Sequence, residues 1–161
     1  MRTFRISLVA VAAAALAAAT AASALPSTLV PFTAKYSGQA STKIDSGTIA
    51  NISATGKGLG TLIGAGKIIG TGTGDSSVQP CTPFGGLGSM TGLHGSISFK
   101  VINTSKGCGD EGGHIFSLKG TALVLRATGR LAKAKGTLRF TGVYDRDGGT
   151  FSIKFIGTLK K

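Results

Sequence analysis

Glycine punctuates this chain so densely that helices of ordinary length are excluded from most of it. All 26 glycines lie at or beyond Gly38, and the longest interval between two of them is Ser96 to Lys106. A helix of usual length would have to contain glycine, at a cost of about 1 kcal/mol each. Arg130 to Lys135 is the one stretch that reads as helical, as a single turn. The remainder reads as short strands punctuated by glycine.

The alternation of apolar and polar residues supports that reading. Phe151, Ile153, Phe155 and Leu159 fall on one face of a C-terminal strand, and Ser152, Lys154, Thr158 and Lys160 on the other. Leu138, Phe140, Gly142 and Tyr144 alternate in the same way just before it. Asp145-Arg146-Asp147-Gly148-Gly149 joins the two, and Asp-Gly between alternating runs signals a hairpin. Upstream, Ile97, Phe99 and Val101 alternate, and His114, Phe116 and Leu118 lead into Thr121–Leu125, which is apolar on both faces. Thr48–Thr55 and Thr61–Thr73 read as Thr/Gly/Ile strands. Leu29–Tyr36 reads as an opening strand, with Pro31 placing its start at an edge. Gly56–Gly60 and Gly70–Gly74 read as strongly coiled strand, since Leu62, Ile63, Ile68 and Ile69 flank them. The expected fold is all-β: a single antiparallel barrel of about eight strands with a short helical turn near residues 130–135.

The first 24 residues stand apart. Arg2 and Arg5 precede an uncharged Ala/Val/Leu run that closes on Ala22-Ser23-Ala24, the pattern of a secretory signal peptide. The expected organisation is residues 1–24 as a signal peptide and residues 25–161 as the barrel domain, exported to the medium or a periplasm. No later run is long and apolar enough to be read as a membrane-spanning helix.

The chain carries 18 Lys+Arg against 6 Asp+Glu, a formal charge of +12. Such a balance favours anionic partners, among them envelope polymers. The basic residues are nevertheless scattered from Lys35 to Lys161, with one local cluster at Arg126, Arg130, Lys133, Lys135 and Arg139. Scattered lysines read first as a solvated surface. Nucleic acid is not an expected partner, because stacking needs interleaved aromatics and the chain has no Trp and two Tyr.

Cys81 and Cys108 are the two cysteines. In an exported chain they read as one disulfide. Each sits among turn formers, Gln79-Pro80-Cys81-Thr82-Pro83 and Lys106-Gly107-Cys108-Gly109-Asp110, so the bridge is expected to staple two loops.

The segment Ala127-Thr128-Gly129-Arg130-Leu131-Ala132-Lys133-Ala134-Lys135-Gly136-Thr137 resembles the T-G-x-[FL]-x-x-A-x-G turn of dirigent proteins and the related allene oxide cyclase barrels. The match lies at Thr128, Gly129, Leu131, Ala134 and Gly136. The resemblance implies an eight-stranded antiparallel barrel in which a single turn leads into a strand near the C-terminus. Arg126-Ala127 stands where those families commonly carry Gly-Gly, and Leu131 where Phe is common. None of their catalytic carboxylates has a counterpart here, so no catalytic residue is carried over.

Candidate chemistry is sparse. Asp110, Glu111 and His114 share a Gly-rich loop, with His94 or Asp75 as further donors from elsewhere; a solvated loop beside a disulfide is the simpler reading, and no metal or other cofactor is expected. Arg126 interrupts an apolar strand and Tyr144 ends a core-facing row, which makes them the candidate polar groups at a barrel mouth. The leading expectation is a non-catalytic extracellular protein that binds a small apolar ligand in the barrel or an anionic envelope polymer on its surface. The rival expectation is a cofactor-free isomerase or cyclase, which requires an open apolar cavity holding one or two polar groups.

Overall fold

The computed structural model describes residues 27–44 and 47–161; the leader proposed at residues 1–24 lies outside them. Eight strands follow one another in chain order: β1 (Leu29–Ile44), β2 (Ile49–Gly60), β3 (Gly64–Asp75), β4 (Cys81–Gly92), β5 (Gly95–Gly109), β6 (Ile115–Ala127), β7 (Lys135–Asp145) and β8 (Thr150–Lys160). Each pairs antiparallel with the next, and β8 pairs with β1 to close the barrel. Closure leaves no continuous edge.

β1 is longer than its sequence signal. Gly38 to Ile44 continue it, paired with β2 from Gly38↔Gly56 to Ile44↔Ala50. Pro31 falls where it is tolerated: β1 pairs with β2 only from Ala34 onward, so Pro31 faces a neighbour on the β8 side alone. Gly56–Gly60 continue β2 as expected of coiled strand, and the β2–β3 turn falls at Thr61 to Ile63; Thr61, expected in a strand, instead accepts from the Thr33 amide through its hydroxyl. The helical turn is shorter than expected, a 3-10 turn at Gly129–Leu131.

One end of the barrel is plugged. Ile63, Met90, Ile97, Leu131, Leu138 and Leu159 are fully buried there. The stretch Thr128 to Leu131 builds this plug. The Thr128 hydroxyl accepts from the Ser96 amide at 3.0 Å, tying the turn to the start of β5. Gly129 has φ +61°, and a side chain on it would collide with the His94 carbonyl. That close approach lets the Arg130 amide donate to the same carbonyl at 2.9 Å and drops Leu131 into the barrel's base.

Above the plug, four rings cross the interior. Phe84 lies 6.1 Å from Phe140, Phe140 lies 5.7 Å from Phe155, and Phe155 lies 5.4 Å from Phe99, centroid to centroid. Tilted pairs at such distances are favourable beyond their area. Because the sheet closes, Phe84 on β4 meets Phe140 on β7 across the lumen.

Tyr36 is also fully buried on the inner face of β1, and its hydroxyl has no hydrogen-bond partner among the described residues. A buried unpaired hydroxyl costs about 1–3 kcal/mol. Burial also pushes its pKa above the ordinary tyrosine value. The folded chain therefore keeps this proton at a pH where the unfolded chain loses it, so stability falls as pH rises past about 10. Tyr36→Phe is expected to match or exceed the parent's stability at pH 8 and to exceed it by a wider margin at pH 11. Urea unfolding of both chains at the two pH values measures this.

Candidate functional site

The end of the barrel away from the plug is open. Here lie the β1–β2, β3–β4, β5–β6 and β7–β8 connections. Inside it is a cavity of about 170 Å³. Phe84, Phe99, Phe140 and Phe155 form its floor, with Ile52, Ile68, Val101, Leu118 and Ile153 among its walls. A second chamber of about 130 Å³ lies toward the mouth, where Ile44, Gln79 and Arg146 line it. Thr42, Ile52, Phe84, Leu118 and Tyr144 line both chambers, which makes them one passage with a neck.

The cavity exists because one wall has no side chains. Gly70 and Gly72 on β3 and Gly86 on β4 face inward where the opposite strands place phenylalanines. At Gly70 the space is open: a Cβ there would meet nothing nearer than the Leu87 carbonyl oxygen at 3.6 Å. Inward glycines on paired strands, facing inward phenylalanines from the far side, are the sequence signal for such a space. The alternation of Gly70, Gly72 and Gly74 with Thr71 and Thr73 carries it, once the register is known.

Tyr144 holds the neck, as its place at the end of an inward row suggested. The Thr42 hydroxyl donates to its oxygen at 3.3 Å, so the Tyr144 proton stays available to an acceptor in the passage. Its ring lies 6.1 Å from Phe116. Tyr144 is the one ionisable side chain lining the deep chamber among the described residues.

Arg126 does not join it. It is exposed on the outer wall near the plugged end, paired with Ser98. Ala122 and Val124 face inward, and strict alternation would carry Arg126 inward after them. The β5–β6 register shifts between Ser98 and Phe99, which leaves Leu125 as an extra residue in β6. That bulge reverses the phase, so Ala127 is buried and Arg126 faces water.

The loop acids serve turns. The Asp110 carboxylate accepts from the His114 amide at 2.7 Å, and that bond comes first in holding its pKa below the ordinary range. Asp75 accepts from the Ser77 hydroxyl at 2.6 Å and the Ser77 amide at 3.0 Å, which lower its pKa likewise. His114 Nδ1 meets Asp147 Oδ2 at 2.6 Å and joins the β5–β6 and β7–β8 connections at the rim. His94 lies in the β4–β5 turn at the plugged end, away from this group. Among the described residues no three His, Cys, Asp or Glu side chains gather to hold a metal ion.

No family model, curated protein or solved structure matches this chain. Among the described residues no helix is long and apolar enough to cross a membrane. The chemistry of the passage is therefore read from its own lining.

Proposed function

We propose that this protein works outside the cytoplasm and holds one small, largely apolar molecule in the open half of a barrel of the dirigent and allene oxide cyclase type. The observation that carries the reading is the cavity: about 170 Å³, lined by phenylalanine, isoleucine and glycine, and reached through a neck at Tyr144. An apolar cavity of about 150 Å³ is large enough to take a benzene ring, so the deep chamber suits one ring or a short branched chain. Burial of the guest's apolar surface supplies the affinity, at about 25 cal/mol per Å². The Tyr144 hydroxyl supplies orientation, by donating to a carbonyl or hydroxyl on the guest.

Binding is favoured over catalysis by the same lining. Among the described residues that line the deep chamber, no carboxylate, histidine or lysine accompanies Tyr144 to exchange its proton. The leader pattern and the Cys81–Cys108 bridge support the compartment.

The test is calorimetric titration with an uncharged single-ring guest such as benzyl alcohol, followed by mass spectrometry of the native protein. Gly70→Leu places a branched side chain in the open space beside Gly70. It is expected to weaken binding at least tenfold, about 1.4 kcal/mol, without lowering the melting temperature. Unchanged affinity in that variant would remove the cavity as the site.

A further inference from the structure

The barrel register assembles a row of basic side chains that the linear sequence hides. On the outer wall Lys106 of β5 pairs with Lys119 of β6, Lys119 with Thr141 of β7, Thr141 with Lys154 of β8, and Lys154 with Lys35 of β1. Neighbouring strands lie about 4.8 Å apart, so the row runs roughly 20 Å around the wall. Two of its four steps set lysine directly opposite lysine. Like charges so placed destabilise a sheet, and the fold retains both pairs.

Among the described residues nothing of opposite charge answers them. Asp75, Asp110, Glu111, Asp145 and Asp147 all lie at or beside the open-end connections. Among the described residues the ion pair within 4 Å is that of His114 and Asp147, at the rim. The wall around the row is therefore of one sign. It is also grooved: Thr141 and Lys154 line a shallow concavity over β7 and β8, together with Arg139 and Ile156.

We propose that this row binds a linear acidic polysaccharide, a polyuronate, laid around the barrel across the strands. A curved row with cations at four of its five positions, set at the interstrand spacing, fits a flexible polymer with one carboxylate on each sugar. The small hydroxyl residue Thr141, at the row's centre, leaves room for a ring and offers it a hydrogen bond. Ile156 gives the sugar's apolar face a surface within the groove. The site lies on the opposite side of the wall from the cavity, so the two act independently.

The test compares two variants of equal charge by calorimetric titration with polygalacturonate, dextran and inorganic polyphosphate. One replaces Lys35, Lys106, Lys119 and Lys154 by glutamine. The other replaces Lys43, Lys100, Arg126 and Lys160, which are exposed on the same outer wall away from the row. The parent is expected to bind polygalacturonate and not dextran, with affinity that falls as salt rises. The row variant is expected to lose at least tenfold and the control variant less than threefold. Equal losses in the two variants would reduce the effect to net charge and overturn the site. Tighter binding of polyphosphate than of polygalacturonate would overturn the choice of polymer. Circular dichroism of both variants is expected to match the parent, because every replaced side chain lies on the outer face.

Discussion

Gly58→Ala is expected to cost this fold about 3 kcal/mol or more, and Gly70→Ala to cost nothing, although both place one methyl group on an inward strand position. At Gly58 the new Cβ would collide with the Lys35 carbonyl and stand 2.6 Å from Tyr36 Cδ1 and 2.7 Å from Tyr36 Cα. Two of those three atoms are backbone of β1, held by its ladder to β2. They move only if the sheet opens, so the strain exceeds what a side-chain shift relieves. At Gly70 the Leu87 oxygen is 3.6 Å away, an ordinary contact. There the methyl only restricts the unfolded chain, a gain of about 0.5 kcal/mol. Denaturant unfolding of the two variants beside the parent measures the difference. A Gly58→Ala protein as stable as the parent would show that β1 and β2 are not coiled together as closely as described.

That contrast marks what the sequence makes legible. Glycine density excluded helices, and alternation at Leu138–Tyr144 and Phe151–Leu159 identified two strands and their inward rows, because each apolar side chain there packs inward without interruption. Strand β4 gave no such signal. Cys81–Gly92 holds four glycines and one proline, and its inward positions are largely glycine. Its place comes from its neighbours, which pair with it from both sides. The cavity was hidden for the same reason, since an absent side chain has no hydrophobic signature until it is known which residues face it. Tyr144 was legible because it ends an unbroken row. Arg126 was not, because one bulged residue reverses its face. The lysine row was invisible for a third reason: Lys35, Lys106, Lys119 and Lys154 meet only through register, which is a property of the closed sheet.

The bridge between Cys81 and Cys108 also corrects a reading. Turn formers around each cysteine suggested two stapled loops. The cysteines instead stand directly opposite each other, at the start of β4 and near the end of β5. What the bridge secures is a short ladder beyond a bulge. Phe84 pairs with Ser105 and Gly86 with Val101, so Ile102, Asn103 and Thr104 have no partner on β4; the β5–β6 pairing is interrupted over the same residues. Past that break, β4 and β5 share only the pairs from Cys81↔Cys108 to Phe84↔Ser105, and Cys81 to Pro83 have no partner on β3. Thr82, Phe84 and Gly107 of this ladder line the cavity's outer chamber. Replacing both cysteines by serine is therefore expected to act twice. Globally, the bridge spans a separation of 27 residues, and releasing it frees the unfolded chain by about 3 kcal/mol, a fall of about 10 °C in melting temperature. Locally, the amides of Cys81, Thr82, Phe84 and residues 105–109 are expected to exchange hydrogen faster than those of the plugged end, because the ladder at the mouth opens on its own. Calorimetry with and without reductant measures the first effect, and hydrogen exchange resolved by peptide measures the second. Uniform exchange along β4 and β5 in the serine variant would show that the bulge does not divide the hairpin, and that the bridge acts on the unfolded chain alone.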